Sequence, residues 1–191
     1  QTHELVLQGL FGKIYNVTTT KKLQDENTLA KLKINILLLK HPEEVRKNWG
    51  KQDYQAEIDY IVRNEARNNL ISSLTVDLNG TSDREAIRKI IESQKNAIIV
   101  ASLGTFSTGI NIRNLHNIVF ASPSKSQIRV LQSIGRGLRK SDDGAVANLY
   151  DIADDLHWRG KKNYTLEHSA ERVKMYVKQE FDYKIYEVDL K

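Results

Sequence analysis

Between residues 32 and 39 apolar side chains first alternate with polar ones and then run together, as Leu32-Lys33-Ile34-Asn35-Ile36-Leu37-Leu38-Leu39. Alternation with period two that passes into a continuous apolar run predicts a strand, buried on both faces toward its end. His41-Pro42 closes it, because Pro42 disfavours continuation. Over 54–74 the spacing changes: Ile58, Ile61 and Val62, then Leu70, Ile71 and Leu74, recur at helical intervals and predict one helix. Thr81-Ser82-Asp83 can cap a helix carrying Ala86, Ile87, Ile90 and Ile91. Three short apolar runs, at 97–101, 117–121 and 145–150, read as covered strands. Residues 10–15 read as a further short strand, 164–176 as a helix and 183–190 as a strand. Strands alternating with helices predict an α/β fold built on a parallel sheet. Ligands of such sheets bind beyond the carboxyl ends of the strands, which this pattern places at Ala101, Ala121 and Tyr150.

Composition narrows the classes. The chain has 191 residues, 40% hydrophobic and 28% charged, which fits a soluble globular domain. The absence of cysteine excludes a disulfide scaffold and removes the usual ligands of zinc ribbons and iron–sulfur centres. No apolar run reaches the roughly 18 residues of a membrane span, and no signal segment stands at the start, so a cytoplasmic location without membrane partners is expected. The sequence opens on Gln1 and its single methionine is Met175, so it is expected to be an excerpt of a longer protein. The five histidines show no ligand spacing, and Asp151, Asp154 and Asp155 are read as structural, so no metal site is expected. His168, Arg172 and Tyr176 share one helical face, read as packing against the lobe, with nucleic-acid contact as the alternative. Trp158, followed by Arg159, Lys161 and Lys162, is read as a partly buried indole, with stacking on a base as the alternative.

Charge then changes the picture. The net charge is +5, and Lys125, Arg129, Arg136, Arg139 and Lys140 carry all of it across a stretch without Asp or Glu. On a helical wheel of ~100° per residue, Lys125, Arg129, Gln132, Arg136 and Arg139 occupy one narrow sector. Ile128, Leu131, Ile134 and Leu138 occupy the neighbouring one. Pro123 suits the first turn, with Ser122 as cap. Gly135 and Gly137 would each cost roughly 1 kcal/mol within a helix, which points to close approach of a backbone or ligand. Two readings stay open on these grounds: a site for phosphate anions, or a solvated basic helix face.

The motifs go further. Gln132-x-x-Gly135-Arg136-x-x-Arg139 resembles motif VI of superfamily 2 helicases. Ser107-Thr108-Gly109-Ile110-Asn111, after the run at 97–101, resembles their motif V. The order strand, motif V, strand, motif VI, strand is that of the second, C-terminal RecA-like lobe. Further segments (Leu10-Phe11-Gly12-Lys13-Ile14, Val100-Ala101-Ser102, Asn114-Leu115-His116) resemble the recombination and repair helicases of T-even-like phages. The likeness covers most of the chain.

The resemblance implies an ATP-dependent DNA helicase or translocase acting on branched DNA. Arg139 and Arg136 would be arginine fingers toward ATP, and Gln132 would orient the nucleotide or couple it to motif V. Gly109 and Asn111 would lie near the ribose. Ser102, Thr105 and Thr108, with Lys125 and Arg129 of the basic face, would contact DNA phosphates, which position a strand without reading its sequence. ATP and Mg²⁺ would be held mainly by a first RecA-like lobe, because no phosphate-binding loop or acidic Mg²⁺ box occurs here. The implied division is 1–31 as the tail of that first lobe and the linker, 32–160 as the C-terminal lobe, and 161–191 as a helix and strand packing on it. This stretch alone is expected to be inactive. The family also carries a strand and helix, including motif IV, before Leu78; here Thr75 runs directly into Val76, so some tens of residues of the pattern are expected to be absent. A nucleic-acid-binding α/β module without its own ATPase, and a restriction or RNA-remodelling helicase subunit, are the alternative readings.

Overall fold

The computed structural model describes residues 22, 32–49, 52–74, 117–121 and 146–191. Among these, four strands form one parallel sheet in the order β2-β3-β1-β4. The elements are β1 (Leu32–Lys40), α1 (Glu43–Trp49), α2 (Tyr54–Arg63), α3 (Glu65–Leu74), β2 (Asn117–Phe120), β3 (Ala147–Asp155), α4 (Tyr164–Lys178) and β4 (Tyr183–Asp189). The register aligns Leu32 with Ala147 and Lys40 with Asp155, and Asn117 with Asn148. β4 pairs with the other edge of β1, from Ile34↔Tyr183 to Lys40↔Asp189. The parallel α/β sheet expected from the sequence is therefore present.

Strand alternation sorts the core into two layers. Leu32, Ile34 and Ile36 of β1, Ile118 and Phe120 of β2, and Leu149 and Ala153 of β3 meet Met175 and Tyr176 of α4. The opposite face carries Leu39, Ile152 and Val119, which pack with Ala66, Leu70 and Ile71 of α3. Successive strand side chains point to opposite faces, so one apolar run can serve both layers.

Two expectations are corrected. The region 54–74 is two helices, not one. Asn64 stands between them with extended backbone (φ −72°, ψ 110°), closing α2 through its N–H to Ile61 O. Its side-chain oxygen accepts from Arg67 N at 2.8 Å, which caps α3. The third strand also runs on to Asp155 rather than stopping near Tyr150, because β1 offers it a full nine-residue partner. The carboxyl end of the central pair is thus at Lys40 and Asp155. The expected strands at 10–15 and 97–101 and the helix capped at 81–83 lie outside the described residues.

Candidate functional site

Beyond the carboxyl ends of β1, β2 and β3 stand His41, Ala121 and Leu156. Just inside this edge are two aspartates of β3, Asp151 and Asp154, three residues apart and so on opposite faces of the sheet. Each meets an arginine from the helix covering its face. Asp154 (1% exposed) accepts from Arg67 Nε at 2.8 and 3.0 Å. Arg67 also donates through Nη2 to Ala121 O at 2.7 Å. One guanidinium therefore ties the ends of β2 and β3 to α3, immediately before the chain enters the basic segment at 122–140.

His41 completes this cluster. Its Nε2 lies 3.1 Å from Asp154 Oδ1 and its Nδ1 3.1 Å from Tyr60 Oη. Asn64 donates to the same hydroxyl at 2.9 Å, so the Tyr60 oxygen bridges Asn64 and the His41 ring. Burial pushes the Tyr60 phenol above its ordinary range, against the Asn64 hydrogen bond, and Asp154 adds to the rise. The chain Asn64–Tyr60–His41–Asp154–Arg67 fixes the carboxyl end of β1 to that of β3.

On the other face, Arg172 of α4 holds Asp151 through Nε at 3.0 and 2.9 Å and Nη2 at 2.7 Å, and reaches Ile152 O at 3.2 Å. Tyr176 donates to Asp151 Oδ2 at 2.8 Å. Burial opposes the charge on Arg172, but Asp151 outweighs it and holds the guanidinium above its ordinary range. Burial and the Asp151 carboxylate together push the Tyr176 phenol up, so it stays a donor. The shared face of Arg172 and Tyr176 is packing, as expected.

A third buried carboxylate caps α4. The N-cap Asn163 makes no side-chain cap bond. Glu57 of α2 substitutes for it, accepting from Tyr164 N (3.0 Å), Thr165 N (2.7 Å), Thr165 Oγ1 (2.6 Å) and Asn163 Nδ2 (2.8 Å). A carboxylate at a helix N-terminus satisfies free N–H groups and complements the helix dipole. Glu57→Ala strands these donors in a 1% exposed position and is expected to cost about 2–3 kcal/mol; a urea midpoint equal to that of the parent would refute the cap.

Metal chemistry does not fit these groups. Glu57, Asp151, Asp154 and Asp155 are each engaged by arginine, histidine or N–H partners, and Asp155 binds the His157 ring. Among the described residues no cluster of His, Asp and Glu could hold an ion, and no helix is long and apolar enough to cross a membrane.

The same edge carries Trp158. Trp158-Arg159-Gly160-Lys161 is a two-residue turn closed by Trp158 N→Lys161 O (3.2 Å) and Lys161 N→Trp158 O (3.1 Å). Arg159 (φ 48°) and Gly160 (φ 81°) both take positive φ, as a type I′ turn requires. The indole is half-buried, as expected. Arg46 and Lys47 of α1 approach it from a distant part of the sequence, which the sequence pattern did not disclose.

No protein-family model matches the chain. The ATP-dependent DNA helicase UvsW of Enterobacteria phage T4 is 31% identical over 229 residues, covering 95% of this chain and 46% of UvsW. The crystal structure of T4 UvsW superimposes with a TM-score of 0.70 at 30% identity, over 96% of this chain and 45% of that one. The chain is a relative of T4 UvsW. It spans less than half of UvsW's length. An aligned span of 229 residues against a chain of 191 leaves at least 38 positions of UvsW without a counterpart here. The residues expected to carry chemistry (Gln132, Arg136, Arg139, Gly109, Asn111, Ser102, Thr105, Thr108, Lys125 and Arg129) lie outside the described residues, as do 75 and 76.

Proposed function

We propose that this chain is the second motor lobe of an ATP-dependent superfamily 2 DNA helicase or translocase, which remodels branched DNA in phage recombination and repair. The observation that carries the reading is likeness to UvsW along nearly the whole chain, at 31% identity and a TM-score of 0.70, joined to paired motifs V and VI in the family's order. Arg139 and Arg136 serve as arginine fingers, and Gln132 orients the nucleotide. Gly109 and Asn111 lie by the ribose, while Ser102, Thr105, Thr108, Lys125 and Arg129 hold DNA phosphates. A first RecA-like lobe supplies the Mg²⁺ ligands, in keeping with the committed state of the buried carboxylates described above.

The described residues contribute rigidity to this scheme. The basic segment leaves the sheet at Ala121, whose carbonyl Arg67 holds against Asp154. A finger must be positioned within a fraction of an ångström to act on a developing charge, so its point of departure has to be fixed. The test is phosphate release by the full-length protein with and without DNA, alongside unwinding of a labelled branched duplex. The reading expects hydrolysis that rises severalfold with DNA and unwinding that requires ATP. Hydrolysis that ignores DNA, or none at all, overturns it.

A further inference from the structure

We infer that Trp158 and the cations around it form a nucleic-acid contact made by residues outside motifs V and VI, which binds single-stranded phosphodiester backbone with a base against the indole. The inference rests on the motor-lobe reading for its partner, but on the geometry of residues 43–49 and 158–162 for its site. Three cations from two elements converge on one ring: Lys47 Nζ at 5.3 Å from the indole centroid, and the Arg46 and Arg159 guanidinium carbons each at 5.8 Å. Lys161 closes that turn and Lys162 follows it, both exposed. The nearby acids offset only part of this charge. Glu43 pairs with Lys47 at 2.7 Å, and Asp155 is buried and bound to His157. Like charges gathered on an aromatic surface repel one another unless an anion joins them.

Location and stiffness favour nucleic acid over a single small anion. The patch lies beyond the carboxyl ends of β1 and β3, where open α/β sheets receive ligands. Arg46 Nε is anchored on His41 O at 2.9 Å, so one side of the cradle is tied to the end of β1. The bridged turn, with both central residues at positive φ, presents Trp158, Arg159 and Lys161 as one unit. An aromatic face flanked by spaced cations is what sequence-tolerant binding of single strands uses: phosphates on the cations, a base on the ring.

The test uses the full-length protein and a labelled single-stranded oligothymidylate, with binding measured by anisotropy over a range of salt. Trp158→Ala is expected to weaken binding about tenfold, and Trp158→Phe far less. The double variant Lys47→Gln, Arg159→Gln leaves the anchored Arg46 and the indole in place. It should weaken binding and lower the slope of log affinity against log salt by about 1.4, at roughly 0.7 per lost contact. Unchanged affinity and slope in the double variant overturn the proposal, including the case in which Trp158→Ala loses binding together with its thermal midpoint. Equal loss of poly-glutamate binding assigns the patch to an acidic protein and also overturns it. DNA-stimulated ATP hydrolysis by the unaltered protein reports separately on the motor-lobe reading, so the two can fail independently.

Discussion

Replacing Arg139 by Ala in the full-length protein is expected to reduce DNA-stimulated ATP hydrolysis by about 10³-fold or more. ATP hydrolysis concentrates charge on the γ-phosphoryl oxygens, and an inserted guanidinium is worth about 10³–10⁵ in rate because it meets that charge in a site with little water to screen it. At 1.36 kcal/mol per tenfold, the lower figure is about 4 kcal/mol, more than a lost surface contact contributes. Arg139→Lys separates charge from shape. Lysine keeps the charge but lacks the planar fork, so partial recovery indicates an electrostatic role and none indicates bidentate recognition. Substitution of a residue acting in the transition state lowers kcat, while the KM for ATP and the affinity for DNA shift little. A loss below about tenfold in kcat, measured by phosphate release at saturating DNA, would remove Arg139 from the finger role and leave Arg136 as the candidate.

The sheet was legible because its strands announce themselves in two ways. β1 alternates and then turns apolar, and the apolar run at 145–150 marks the first part of its partner β3, whose continuation to Asp155 is masked by three buried aspartates. Less was legible where burial does not impose a period. α1 has no buried residue, so no apolar stripe marks it. The break at Asn64 was hidden because each side carries its own helical spacing, Ile58, Ile61 and Val62 before it and Leu70, Ile71 and Leu74 after it; the signals were the change of phase between the two sets, with Ile61 and Leu70 ~180° apart on one continuous helix, and Asn64 itself, an asparagine able to cap the following helix. The buried ion pairs were half legible. Asp151 and Asp154 could be read as structural, and their spacing places them on opposite faces, but Arg67 as the partner of Asp154 lies 87 positions away. Of the expected site, the motifs rest on sequence and on likeness to UvsW. The Trp158 cradle needed the fold, since Arg46 and Lys47 reach it only once β1 and β3 lie side by side.

Arg172→Ala is expected to destabilise the chain by about 3–5 kcal/mol, the usual result of removing one partner from a buried ion pair. Asp151 is fully buried and accepts from Arg172 through both Nε and Nη2, with Tyr176 as a further donor. Removing the guanidinium leaves a carboxylate with one hydroxyl partner in the layer between β3 and α4, and water cannot enter without opening the packing of Tyr176 and Met175. The loss should appear as a fall in urea midpoint of more than about 1 M, at a slope of roughly 2–3 kcal/mol per M. The double variant Arg172→Met, Asp151→Leu distinguishes the cost of an orphaned charge from the contribution of the pair. Exchange of a whole buried pair for apolar side chains of similar volume is often neutral or stabilising, so the double variant should recover most of the midpoint. If Arg172→Ala costs under about 1 kcal/mol, Asp151 has another route to satisfaction and the pair is not what joins α4 to the sheet. If the double variant is as unstable as the single one, the loss belongs to the shape of the arginine stem rather than to its charge.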